Sequence, residues 1–438
     1  MPELLSPAGT LRNMRYALAY GADAVYAGQP RYSLRTRNND FDLENLAVGI
    51  NEAHALGKKF FVASNVLPHN RKVDSYMADM EPVIALKPDA LIMADPGLIL
   101  MVRERWPDVP VHLSVQANTV NYAAVKFWQQ MGLSRVILSR ELSLDEIEDI
   151  RQRCPDMELE VFVHGALCIA YSGRCLLSGY FNHRDSNQGT CTNSCRWEYK
   201  VSPGEVNETG DVVASVNNTS SCGDMSRHQS AEQTYLLEEQ ERPGELMPME
   251  EDEHGTYILN SKDLRAVEHV ARLVKIGVDS FKIEGRTKSH YYVARTAQIY
   301  RQAIDDALAG REFDMALLGK LEALANRGYT DGFYQRHHTQ DHQNYMANAS
   351  REVRQRFVAE VAGVDNANGL VQVDVKNKFA VGDSLELLSP TGNQSFVLGE
   401  MFDQDGQPVQ EASGSGRIVA LKVPVESVDQ RSLIAKNL

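Results

Sequence analysis

Four of the chain's six cysteines crowd into one stretch, at Cys168, Cys175, Cys191 and Cys195. They follow a run that alternates like a buried strand, Glu160-Val161-Phe162-Val163, and ends in His164-Gly165. Thiols so grouped can cross-link, hold a metal centre or react. With 438 residues the chain buries ample core without staples. Its opening residues, MPELLSPAGTLRN, lack a basic segment followed by an apolar one, and Asp95-Pro96 interrupts the most apolar later stretch. A cytoplasmic protein with no membrane span is therefore expected. In reducing surroundings a tight cysteine group points to metal binding or reactivity rather than to disulfides.

Spacing narrows the choice. Cys168 and Cys175, seven apart, would lie roughly 10 Å from one another in an unbroken helix, but Gly173 offers a break that lets a loop draw them together. Cys191 and Cys195 are close enough to share a centre in a loop or a first helical turn. Structural zinc uses two short-spaced pairs, and only one pair here has that spacing, so the long first gap favours an iron–sulfur cluster. Zinc and unligated redox thiols stay open as alternatives. A radical S-adenosylmethionine enzyme would want another cysteine where Glu198 stands. Cys154, in a turn before Pro155 expected to be exposed, and Cys222 read as free thiols, with Cys222 a lesser candidate for a ligand.

Hydrolase and nucleotide signatures are missing from the sequence: it has no His-Glu-x-x-His, no Gly-x-Ser-x-Gly, no Walker loop and no Gly-x-Gly-x-x-Gly. The net charge of -14 speaks at first against a nucleic-acid partner. The segment from 201 to 256, however, has thirteen acidic against two basic residues; its -11 leaves only -3 for everything else. Elsewhere basic residues mix with aromatic ones. Arg31, Arg35 and Arg37 surround Tyr32, Arg196 precedes Trp197, and Arg286-Thr287-Lys288 precedes His290-Tyr291-Tyr292. Such groups can meet phosphates and stack on unpaired bases, or can be ordinary solvated cations beside buried rings.

The elements that must position these residues repeat a unit: a short apolar strand, a polar turn, and a helical pattern closed by Gly. Strands are expected at 3–6, 24–27, 60–64, 90–94, 111–115, 136–139, 159–163 and 281–284. Ser143 with Glu146 is a capping box for one of the helices between them. Eight strand–helix units predict an α/β fold, a TIM-like (β/α) barrel over residues 1–340, with a doubly wound sheet as the alternative. Function in such a barrel belongs at the C-terminal strand ends, where Ser6, Tyr26, Gln29, Asn65, Asp95, Gln116, Asn118, Arg140, Glu141, His164, Glu284 and Arg286 form a polar ring. His164 is the candidate base there, or a satisfied structural histidine. Residues 201–256, poor in large apolar side chains, read as an acidic insert, much of it mobile or irregular, followed by a short extra strand at 257–260. From 351 to 438 short alternating runs split by Asn368-Gly369, Pro390-Thr391-Gly392 and Asp405-Gly406 predict a small antiparallel β-barrel domain.

From Glu160 to Ser178 the chain reads Glu-x-Phe-x-x-Gly-Ala-Leu-Cys-x-x-x-x-Gly-x-Cys-x-Leu-Ser. This resembles the signature of the collagenase-like peptidase family, as do PELLSPAGT, GADAVYAGQPRYSLRTRNN, HLSVQAN and FKIEGRTKS elsewhere. The resemblance spans nearly the whole chain and thins in the acidic insert and at the C-terminus. It implies prephenate-dependent hydroxylation of the wobble uridine of tRNA to 5-hydroxyuridine, the first step towards 5-carboxymethoxyuridine. It also implies a 4Fe-4S cluster on Cys168, Cys175, Cys191 and Cys195. On that reading His164 and Glu284 are the catalytic candidates, and Arg31, Arg35, Arg37 and Arg196 touch RNA. Prephenate has two carboxylates, which suit paired arginines, so Arg140 and Arg286, with Gln116 and Asn118, are its expected contacts. The alternatives are a peptidase acting on collagen-like or other peptides, a ribosomal RNA hydroxylase of the same family, and a non-catalytic cluster-bearing subunit.

Overall fold

The computed structural model describes residues 1–29, 31–33, 40–166, 263–324, 328–335, 355–365, 369–414, 416–423 and 428–438, together with the backbone of strands between 199 and 258. Six strand–helix units and a seventh strand come first. The strands are β1 (Glu3–Pro7), β2 (Ala24–Gly28), β3 (Lys59–Ser64), β4 (Ala90–Met93), β5 (Val111–Leu113), β6 (Arg135–Ile137) and β7 (Glu158–Ala166). An eighth, β8 (Ser280–Ile283), returns after the insert. Neighbours pair in parallel, and β8 pairs with β1 at Glu3↔Ser280 and with β7 at Phe281↔Val161. The ring is thus closed as an eight-stranded barrel, which excludes the doubly wound alternative.

The helices start where local chemistry tells them to. Thr10, Asp42, Asp95, Asn121, Ser143 and Ser289 each cap an N-terminus by accepting a hydrogen bond from the backbone N–H three residues on. The Ser143–Glu146 capping box forms in both directions. Cys154 is not exposed, as its turn suggested. It ends the Leu144–Arg153 helix as a buried free thiol, Sγ 3.6 Å from the Tyr122 carbonyl, and burial raises its pKa.

The insert also departs from expectation. Strands Tyr199–Val206, Val212–Ala214, Tyr235–Glu239, Leu246–Asp252 and Gly255–Ile258 form an antiparallel sheet, registered for example by Leu237↔Met247 and Glu250↔Tyr257. Segments such as Leu246–Asp252 carry acidic residues among apolar ones, and it was this composition that masked their strand periodicity.

In the C-terminal region a seven-stranded antiparallel sheet wraps as a half-barrel around Val358, Val371, Val373, Leu385, Leu421 and Ile434. It packs on the barrel helices Leu11–Ala19 and His290–Leu308. Tyr20 Oη donates to the carbonyls of Leu388 or Arg431, at 3.0 and 2.9 Å, and the buried Arg295 holds both oxygens of Glu386 at 3.1 and 2.9 Å. Tyr291 stacks on Phe357 at 4.9 Å. The sequence reading missed the strand Leu433–Asn437, although it lies between two others at the centre of this sheet.

Candidate functional site

The barrel interior is ionic in its lower half. Glu160, fully buried on β7, accepts from Lys282 Nζ of β8 at 2.8 Å and from Arg135 Nη1 of β6 at 3.0 Å; Arg135 also reaches Glu3 at 2.6 Å. Burial pushes the Glu160 carboxyl up, but Lys282 and Arg135 outweigh it and hold it below the usual carboxylate range. Burial likewise lowers Lys282, against the pull of Glu160. Sequence reasoning did not single out this trio. The available signal was a charged residue in the middle of an otherwise apolar parallel strand, at Glu160 and again at Lys282.

Above it, at the C-terminal strand ends, lies the predicted mouth. The Arg140 guanidinium sits 3.6 Å above the Phe162 ring, with Nη2 3.5 Å from Glu284 Oε2 and Nε buried without a hydrogen-bond partner among the described residues. Arg286 is buried after β8, two strands on from Arg140; its Nη1 donates to Ser33 Oγ at 2.6 Å, and its guanidinium lies 5.8 Å from the Tyr26 ring. Gly28 makes that room, since a Cβ there would stand 2.4 Å from Arg286 Nη1. The main chains of the last two barrel strands also close tightly: Glu284 N donates to the His164 carbonyl at 2.8 Å, and a Cβ on Gly165, whose φ is +106°, would meet the Glu284 carbonyl at 2.3 Å.

His164 is buried among Tyr292, Tyr300 and Tyr329, with ring centres 5.5 to 5.8 Å away. Tyr300 Oη gives its proton to the Val163 carbonyl at 2.6 Å and lies 3.3 Å from His164 Nδ1, so Nδ1 carries the imidazole proton. Nε2 is then a lone-pair acceptor, buried without a partner among the described residues. Burial, then Arg265 and Lys288, push its pKa down to about 3. At neutral pH such a group accepts hydrogen bonds and takes up no proton.

This gives a pH prediction with a definite sign. The folded pKa lies below the unfolded value of about 6.5, so the stabilisation is intact above that pH and is lost as pH falls towards 3, by about 2 kcal/mol at pH 5 from His164 alone. His290, pushed down to about 4 by burial and by Arg12 and Lys376, adds to the loss in the same window. Urea unfolding at pH 7 and pH 5 checks it: a His164→Gln chain is expected to show a smaller loss between the two.

Other ring members are turned to structural work. Tyr26 Oη donates to the Ile283 carbonyl, Gln29 Oε1 accepts from the amides of Arg31 and Tyr32, and Asp95 caps its helix. Gln116 and Asn118 lie in and just after the single turn Val115–Ala117 that follows β5, Asn118 with a left-handed φ of 56°, and neither hydrogen-bonds to the Arg140–Glu284 pair. Arg31 pairs with Asp79 at 2.5 Å and is half exposed. Tyr291 and Tyr292, expected as base-stacking rings, are buried, Tyr292 Oη donating to the Glu284 carbonyl. Cys168, Cys175, Cys191, Cys195, Arg196, Cys222, Arg35 and Arg37 lie outside the described residues.

The description "Peptidase family U32" matches residues 9–344, and "Peptidase family U32 C-terminal domain" matches residues 353–435. The chain belongs to the U32 peptidase family. Within it, the chain is 60% identical to "tRNA hydroxylation protein P" of Escherichia coli, over all of this chain and 97% of that one. It is 56% identical to the Haemophilus influenzae protein of the same name, over all of this chain and 96% of that one. The E. coli "23S rRNA 5-hydroxycytidine C2501 synthase" is 31% identical over 76% of this chain, which spans 42% of that protein's length. Among the described residues no helix is long and apolar enough to cross a membrane.

Proposed function

We propose that this U32 family member is an RNA-modifying enzyme that hydroxylates tRNA, converting the wobble uridine to 5-hydroxyuridine with prephenate as co-substrate. The observation that carries the reading is the 60% identity, end to end, to a protein named for tRNA hydroxylation. Replacing C5–H by C5–OH is an oxidation. Four thiols form a soft donor set suited to iron, and a 4Fe-4S cluster on Cys168, Cys175, Cys191 and Cys195 would supply redox capacity. In sequence the first of them follows Ala166, the last residue of β7, by two positions.

Arg140 supports a carboxylate ligand. Its Nη2 lies beyond good hydrogen-bond distance of Glu284, and its buried Nε has no partner among the described residues, which leaves donors of its planar fork for a ligand. Arg286, fixed by Ser33, supplies a second cation for the other carboxylate. His164 and Glu284 are the polar groups placed to orient the base, with Arg31, Arg35, Arg37 and Arg196 meeting phosphates.

In a Gly28→Ala chain the added Cβ would stand 2.4 Å from Arg286 Nη1, 2.6 Å from Ser33 Oγ and 2.9 Å from Ser33 Cβ, so the melting temperature is expected to fall as the buried Ser33 gives way. Product formation is expected to fall roughly 10- to 100-fold as Arg286 is displaced. Mass spectrometry of nucleosides from cells lacking the gene tests the function itself. Loss of 5-hydroxyuridine and its derivatives from tRNA, with ribosomal RNA unchanged, is expected, and the same loss in cells unable to make prephenate. Unaltered tRNA with a missing ribosomal hydroxycytidine would favour the ribosomal alternative.

A further inference from the structure

We propose that Glu268, His269, Asp331 and Gln335 form a divalent-cation site, independent of the function proposed above. His269 closes the single turn Val267–His269 that leads into the helix Val270–Ile276, while Asp331 and Gln335 follow the short strand Tyr329–Thr330. Three ligand-capable groups converge on one atom: His269 Nε2 lies 3.1 Å from Asp331 Oδ2, 3.4 Å from the Gln335 amide nitrogen and 3.6 Å from Glu268 Oε1. The imidazole and carboxylate donor atoms all lie within 4.8 Å of one another.

A ring nitrogen offers a single proton or a single lone pair, so it satisfies one of these neighbours and not three. Ligands on a tetrahedral ion with bonds of about 2.1 Å stand about 3.4 Å apart, which is the spacing seen around Nε2. The Gln335 amide, turned over, presents its oxygen as a fourth donor. The set of one imidazole, two carboxylates and an amide, without thiolate, suits zinc or manganese rather than a soft metal.

Exposure grades in the sense an entry path requires: the His269 side chain is 8% exposed, Asp331 12% and Glu268 36%. A cleft of about 390 Å³, lined in part by Arg272, Tyr334 and Gln335, opens beside them. The His269 ring meets the edge of Tyr334, whose hydroxyl donates to the Phe162 carbonyl of β7 at 2.6 Å. A bound ion would therefore pin residues 328–335 against the strand that leads to the cysteines.

The test is Co²⁺ titration of the full chain after chelator treatment, because thiolate ligation gives an intense near-ultraviolet band and nitrogen–oxygen ligation only weak visible bands. The weak bands are expected to saturate at one equivalent and to be displaced by Zn²⁺. Glu268→Gln, at a partly exposed position that leaves the fold intact, is expected to weaken affinity at least about tenfold, and His269→Asn to abolish the bands. Thiolate bands should be unchanged in both variants. Absence of the weak bands, or bands unaffected by Glu268→Gln and His269→Asn, would overturn the site.

Discussion

A chain with Cys168 and Cys191 both changed to alanine is expected to restore no tRNA hydroxylation when supplied to cells lacking the gene, and to lose its iron on purification. The effect is all-or-none because two thiolates cannot hold a four-iron cluster against hydrolysis and oxidation. The matching change at Cys154 is expected to leave iron and product intact. That thiol is buried at a helix end against the Tyr122 carbonyl, ahead of β7 in the chain. Iron content and nucleoside composition, measured on the same three strains, decide the matter. Full modification by the doubly substituted chain would detach the reaction from these cysteines.

The second large effect belongs to the fold beneath the mouth. Glu160→Gln removes the carboxylate that neutralises Lys282 and shares Arg135, and leaves a buried ammonium ion uncompensated. Breaking a buried pair from one side costs roughly 3–5 kcal/mol, because desolvation has been incurred and the attraction is gone. For a domain of this size that is a fall in melting temperature on the order of 10 °C. Replacing both partners, Glu160→Met with Lys282→Met, removes the charges together and is expected to recover much of the loss. Thermal melts of the three chains check it. A single variant as stable as the unaltered chain would mean that water or a shifted pKa already relieves the pair.

The barrel was legible in the sequence because its strands are buried on both faces and so appear as short, mainly apolar runs, bounded by caps such as Thr10, Asp42 and Ser143 that act within one turn of chain. Closure was not legible. It depends on Glu3 meeting Ser280, a pairing between residues at opposite ends of the barrel sequence that no local pattern encodes. The acidic insert misled for the opposite reason: composition suggested irregularity, while cross-strand pairs such as Leu237 with Met247 hold a sheet.

At the site, residue types were legible and partnerships were not. Arg140 and Glu284 were chosen separately for two tasks, and the structure sets them face to face. Arg286 had been grouped with RNA-facing cations and also chosen for prephenate; it is buried, in a space that Gly28 leaves open. His164 carried both a catalytic and a structural reading, and its tautomer follows only from the bond that Tyr300 makes to Val163. Side-chain partners across a barrel come from register and pleat, which act over distances that spacing along the chain does not record.

The central claim is that this member of a peptidase-named family oxidises RNA. The most direct measurement incubates the purified chain, prepared anaerobically with its iron, with unmodified tRNA and prephenate, and in parallel with a collagen-type peptide, and reads both products by mass spectrometry. The account predicts a wobble uridine heavier by one oxygen, formed only when prephenate is present, and an intact peptide. Cleaved peptide beside unaltered tRNA would contradict it.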